Sequence, residues 1–144
     1  MSLSFETIQP TDYQQVDQLV QAAFEPVEES QGNEVDLIHQ LRKTYDYQAS
    51  LEVVAKPSID TIVGHGLLSP VMIRGNRHTT TIVALAPLAV APDWQGQGVG
   101  SELLSELETR ARMAGFAAVS VVGDMTYYGG RGYVMAEDFA IHNS

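Results

Sequence analysis

The residues best arranged for chemistry are Gln95, Gly96, Gln97, Gly98, Val99, Gly100 and Ser101. They follow an apolar run and open a stretch with helical periodicity. Gly96, Gly98 and Gly100 fall within five residues, so the backbone can visit positive φ and approach a ligand without Cβ contacts. The unpaired N–H groups of a helix start point at whatever lies there, and the helix dipole favours an anion. A strand, a glycine-rich turn and a helix together describe a phosphate cradle. An ordinary strand-to-helix turn is the alternative.

Two familiar cradles fail on spacing. A Walker A loop needs a Lys after its last glycine, and none follows here. A dinucleotide fingerprint needs Gly-x-Gly-x-x-Gly. Counted from Gly96 the third glycine would be Ser101, and counted from Gly98 it would be Leu103. The pattern that remains is Gln-x-x-Gly-x-Gly, carried by Gln95, Gly98 and Gly100.

The elements that must hold this loop follow from periodicity. Residues 4–8 alternate as a strand, and Pro10, Thr11 and Asp12 announce a helix with Thr11 or Asp12 as its cap. Val16, Leu19, Val20 and Ala23 share one face of that helix. Val35, Ile38 and Leu41 stripe a second. Strands are expected at 51–55, 61–73 and 79–90, with a turn at 74–77 joining the last two. A long helix over 98–114 carries Val99, Leu103, Leu104, Leu107 and Ala111 on one face, and Gly115 suits its C′ position. Residues 117–122 read as a buried strand, 127–131 as one helical turn, and 133–141 as an edge strand. The order β-α-α-β-β-β-α-β-α-β is that of an α+β protein with a mixed sheet.

At 144 residues the chain is expected to form a single domain over residues 1–144. There are no cysteines, which excludes disulfides and a thiolate nucleophile. The four histidines show no i, i+4 pairing, so no metal is expected. No apolar run reaches transmembrane length, and a cytoplasmic protein is the expectation, with no membrane partner. The net charge of −10 opposes nucleic-acid binding. Residues 1–72 hold 11 acidic against 3 basic side chains, a net −8, and the remainder hold only −2.

The Gln95–Gly98–Gly100 pattern resembles the acyl-CoA pyrophosphate loop of the GNAT superfamily of N-acetyltransferases. Further residues are similar to a bacterial branch of predicted acetyltransferases. They are Ile62, Val63, Gly64, His65 and Gly66 followed by Leu68, Ser69, Pro70 and Val71; Pro87, Leu88, Ala89 and Val90; Gly123 and Asp124 with Tyr127 and Tyr128; and Leu37 to Arg42. The match is densest over residues 62–133.

The resemblance implies a GNAT fold, a mixed, mostly antiparallel β-sheet flanked by helices. In that fold a bulge splays the fourth strand from the fifth. It implies acetyl-CoA as acyl donor, with its pantetheine arm on the backbone of Leu88, Ala89 and Val90. The pyrophosphate would then lie on Gln95, Gly96, Gln97, Gly98, Val99, Gly100 and Ser101. Pro87 fits a bulge, or a plain edge strand. Tyr128 fits the family's Tyr-x-x-x-Gly-Phe as the acid for the departing thiolate, or else is a packing Tyr. Gly130 and Arg131 replace the branch's usual Arg-Phe pair, and Arg131 is a candidate for a CoA phosphate or a solvated side chain. A backbone N–H near Leu88 would hold the oxyanion.

The reaction so implied is acetylation of a primary amine of a small molecule or peptide. An amine of pKa about 10.4 is neutral only about once in 2,500 molecules at pH 7, so a base matters. None stands out. The fourth-strand stretch 82–86 has no carboxylate, which leaves water, Glu25, Glu28, Glu29 or His65, the last equally readable as a structural histidine. The acidic N-terminal half points to a cationic amine, or to a merely solubilising surface. An inactive acyl-CoA-binding module and an interaction protein with an empty loop are the rival readings. Only 11 residues follow Tyr133, so an open sheet edge is expected there, and a homodimer is one way to cover it.

Overall fold

The computed structural model describes residues 3–25, 33–74, 79–86, 88–116, 118–121, 124–127 and 132–135. Its strands are β1 (Ser4–Thr7), β2 (Glu52–Lys56), β3 (Gly64–Arg74), β4 (Thr79–Leu85), β5 (Ala89–Val90), β6 (Ala118–Val121), β7 (Asp124–Tyr127) and β8 (Gly132–Met135). Its helices are α1 (Tyr13–Phe24), α2 (Glu34–Arg42) and α3 (Val99–Met113). The strands join in the order β1-β2-β3-β4-β6-β7-β8, with β5 also on β3. Every pairing is antiparallel except β4 with β6.

Pleat alternation sends side chains to two cores. Val53 and Ala55 of β2 and Leu68 of β3 face α3, which contributes buried Val99, Leu103, Leu107 and Ala111 at four-residue spacing. Val54 and Leu67 face the other side, against Val16, Leu19, Val20 and Ala23 of α1 and Ile38 of α2. Gly66 lets α3 approach the sheet closely. A Cβ there would lie 2.6 Å from Leu107 Cδ1 and 2.8 Å from Leu88 Cδ1. At the far end of α3, Gly115 has φ +92°, the Phe116 N–H reaches the Ala111 carbonyl and the Gly115 N–H that of Arg112. That is the Schellman closure expected of a C′ glycine.

The strand expected over 79–90 is interrupted. Leu85 pairs with Leu68, and the next pair along is Ala89 with His65. Between these pairs the chain has three positions, 86 to 88, on one side and two, 66 and 67, on the other. This is a β-bulge, and it turns the chain. Beyond it β5 bonds to β3 alone among the described residues, while β4 meets β6 only at Val83–Val119 and Ala84–Ser120. The two strands therefore part, leaving a notch along the outer edge of β5.

One expectation is corrected and one is refined. Residues 124–127 form a strand, so Tyr127 does not begin a helical turn; Asp124 to Tyr127 pairs with β6 on one side and β8 on the other. Asp12 is the N-cap residue of α1, as expected, but its side chain makes no bond to that helix. Its Oδ2 accepts the Gln9 N–H at 2.9 Å and its Oδ1 a Lys56 Nζ bond at 3.3 Å, closing the preceding 3-10 turn. No described helix is long and apolar enough to cross a membrane.

Candidate functional site

The site begins with the backbone at the bulge. The Ala91 N–H bonds to Val63 O at 2.9 Å, toward β3. By antiparallel alternation its neighbour Val90 turns N–H and C=O to the notch. The Val90 carbonyl accepts the Gln95 side-chain amide at 3.0 Å, as that orientation requires. The outer edge of β5 is a strand edge whose Val90 N–H faces the notch and whose Val90 carbonyl is held by Gln95.

The glycine loop abuts this edge. A short 3-10 turn, Pro92–Trp94, carries the chain off β5. The Trp94 N–H bonds to Ala91 O at 2.8 Å, and Gln97 Nε2 donates to Asp93 O at 3.0 Å. Trp94 packs against the α3-side core, under the loop, as a packing residue. Gly96 and Gly98 sit at φ +76° and +86°, the left-handed region that side chains disfavour. Nothing lies within 4 Å of a Cβ built at either. Gly98 is the N-cap of α3, and no side chain caps this helix. The N–H groups of Val99, Gly100 and Ser101 therefore project from the helix start. A Cβ at Gly100 would touch Leu88 Cδ2 at 3.5 Å and Val90 Cγ2 at 3.7 Å. Bulge and loop are thus one continuous surface.

Other candidates are dispersed. Glu25 is exposed at the end of α1. Glu28, Glu29, Pro87, Tyr128 and Arg131 lie outside the described residues. His65 is brought next to the bulge, opposite Ala89, yet it is fully buried. Burial denies it direct contact with an acceptor in solution.

The sequence reading missed the partners of His65. Glu52, also fully buried, receives His65 Nε2 on Oε2 at 2.7 Å. Arg42 bonds the same carboxylate through Nη2 to Oε2 at 2.7 Å and through Nε to both oxygens at 3.1 Å. The Tyr47 hydroxyl donates to Oε1 at 2.7 Å. The Arg42 guanidinium lies 4.1 Å from the Tyr13 ring centroid, so α1, α2, β2 and β3 meet at this cluster. Burial alone would raise the Glu52 pKa, but the hydrogen bonds from His65 and Arg42 outweigh it and hold the carboxyl at about 2. Burial and the bond to Glu52 push the Tyr47 phenol well above its ordinary value. Burial opposes charging Arg42, but Glu52 prevails and its pKa is raised. No group of three or more His, Cys, Asp or Glu able to hold a metal occurs among the described residues.

The model of the acetyltransferase (GNAT) family matches residues 13–127. The chain is 33% identical over 102 residues to the uncharacterized N-acetyltransferase YjhQ of Escherichia coli K12, covering 71% of this chain and 56% of that protein. It is 32% identical over 127 residues to the uncharacterized N-acetyltransferase YhbS of the same organism, covering 88% and 71%. The chain thus spans little more than half of the first relative. A GNAT family acetyltransferase from Brucella melitensis, solved with acetyl-CoA, superposes with TM-score 0.71 at 28% identity over 88% of this chain and 79% of that one. Escherichia coli YhbS, solved with CoA, gives TM-score 0.70 at 29% identity, covering 85% and 63%.

Proposed function

Because this chain belongs to the acetyltransferase (GNAT) family, we propose that it transfers an acetyl group from acetyl-CoA to a primary amine of a small molecule or peptide. The observation that carries the reading is the continuous surface of bulge and loop. An open strand edge suits a chain of amides, and an uncapped helix start with two left-handed glycines suits a diphosphate. The two relatives solved with acetyl-CoA and CoA support the choice of donor.

In this reading the backbone of residues 88–90 pairs with the pantetheine amides, and Gln95 releases the Val90 carbonyl as they arrive. The N–H groups of residues 96–101 surround the pyrophosphate. The neutral amine attacks the thioester carbonyl, the Leu88 N–H holds the oxyanion, and Tyr128 protonates the departing sulfur. Arg131 reaches a phosphate. Glu25, Glu28 and Glu29 face the acceptor, and the net charge of −8 over residues 1–72 favours a cationic amine.

Thermal unfolding with acetyl-CoA, run beside ATP and NAD, tests the donor. Acetyl-CoA at 100 times its Kd should add about 2.7 kcal/mol of stability, a rise of several degrees. ATP and NAD should add nothing, and no shift with acetyl-CoA would remove the reading. Turnover with spermidine should exceed that with glutamate and fall with salt. Acetyl-CoA binding without acetylation of any amine in a broad panel would indicate a binding module. The absence of a carboxylate from residues 82–86 favours that alternative.

A further inference from the structure

The bulge resets which side chains face which core. In an unbroken strand alternate residues share a face, so 85, 87 and 89 would point one way. Instead Leu85, Leu88 and Val90 pack against the α3-side core, while Ala86 and Ala89 pack on the α1 side. The odd step from 85 to 88 is the extra residue of the bulge. Without it Leu88 would point to the α1 side and lose its contact with α3.

The place that receives Leu88 is made of glycines. A Cβ at Gly66 of β3 would lie 2.8 Å from Leu88 Cδ1, and one at Gly100 would lie 3.5 Å from Leu88 Cδ2. Its two methyl groups thus sit over two residues without side chains, one on the sheet and one in the first turn of α3. Fully buried Leu107 forms the floor, since its Cδ1 would lie 2.6 Å from the same Gly66 Cβ. The Ala86 N–H still bonds to Leu67 O at 2.9 Å, so regular pairing reaches that far. The next hold on the chain is the Leu88 side chain. It spans from the bulge to the helix start whose N–H groups face the diphosphate.

We propose that the Leu88 side chain is a positioning residue for acetyl transfer: docked between Gly66 and Gly100, it selects the bulged register and holds the bulge backbone at a fixed distance from the helix start. The inference rests on the acetyl-transfer reading above, in which only the Leu88 backbone takes part. Thioester and diphosphate belong to one molecule. The spacing between notch and loop therefore decides where the thioester carbonyl falls relative to the Leu88 N–H. The loop anchors the diphosphate whether or not the bulge is in place, so loss of the side chain acts on the reaction step more than on affinity. A misplacement of about 1 Å can cost about 10²-fold in rate.

Leu88→Ala keeps every backbone N–H and empties the socket. kcat for the fastest amine of the panel above should fall about 10–100-fold, with the acetyl-CoA Kd by calorimetry changed only several-fold. Leu88→Met, whose flexible side chain reaches both glycines, should recover most of kcat. Leu88→Val, too short to cover both, should fall between the two, and it carries the test if the Ala variant unfolds. Gly66→Ala fills the socket from the sheet side. Because Leu107 is buried, Leu88 is the neighbour that yields, and a similar loss of kcat is expected. Gly66→Ala combined with Leu88→Ala should lose no more than the larger single loss, since both act on one contact. Wild-type kcat in Leu88→Ala or Leu88→Val, a loss that Leu88→Met does not restore, or additive losses in the double variant would overturn the proposal. A wild-type protein that binds no acetyl-CoA, or acetylates no amine of the panel, is a separate result, which overturns the parent reading and this proposal with it.

Discussion

Replacing Glu52 by Gln is expected to cost about 3–5 kcal/mol of stability and to lower Tm by roughly 10 °C or more. The substitution keeps the shape and removes the charge. Arg42 is 9% exposed and Glu52 is 0% exposed, so the guanidinium would stay buried without its counter-charge. The new amide would also turn N–H groups toward donors that now converge on the carboxylate: His65 Nε2–H, the Tyr47 hydroxyl or Arg42. The large figure measures a broken pair, not the worth of an intact one. Replacing Arg42, Glu52 and His65 together by apolar residues of similar volume should therefore recover most of the loss. Calorimetric unfolding of both variants decides it, and a Glu52→Gln Tm within 2 °C or so of wild type would refute the account.

The same carboxylate sets an acid limit. Its folded pKa of about 2 lies below the ordinary carboxylate value of the unfolded chain, so its contribution is complete above that value. That contribution is lost as pH falls from near 5 toward 2. Wild-type stability should drop steeply across this window, and the Glu52→Gln protein should lose the part of the slope that Glu52 supplies. The cluster thus ties α2 to β2 and β3 throughout the neutral range.

How much of this was readable in the chain depends on the range of each interaction. The α3 stripe of Val99, Leu103, Leu107 and Ala111, and the Gly115 stop, are local patterns and appear where periodicity puts them. The left-handed glycines at 96 and 98 are equally local. The bulge is less so. Residues 79–90 read as one β-prone run with a single hint, Pro87, which fits a bulge or a plain edge strand alike, and the extra residue is fixed only by register against β3. β7 was missed because Asp124 to Tyr127 is too short to show a period, and its two neighbours decide its state. The Glu52 cluster is the clearest gap. Its partners stand 10 residues before and 13 after it, and only the packing of α2 on the sheet unites them. The one available signal was a charged residue directly ahead of an apolar run, Glu52 before Val53, Val54 and Ala55.

Gly98→Val is expected to weaken acetyl-CoA binding about 100-fold while lowering the stability of the free protein by only about 1–2 kcal/mol. At φ +86° a β-branched side chain meets its own backbone, so the turn must open into another conformation. The space around the site does not resist it, because nothing lies within 4 Å of the added Cβ, and that is why the stability loss stays small. The reoriented turn would misdirect the N–H groups of residues 96–101. Losing one or two charge-assisted hydrogen bonds, at about 1.5–3 kcal/mol each, is enough for the 100-fold change. Gly100→Ala is the informative partner. Its φ is not left-handed, and its Cβ would make ordinary contacts with Leu88 at 3.5 Å and Val90 at 3.7 Å. Its fold should therefore be unperturbed, and any loss of affinity reports on the room the ligand needs at the helix start. Calorimetric titration with acetyl-CoA and with desulfo-CoA separates loop from thioester contacts. Equal affinity of Gly98→Val and wild type would mean that the loop carries no diphosphate.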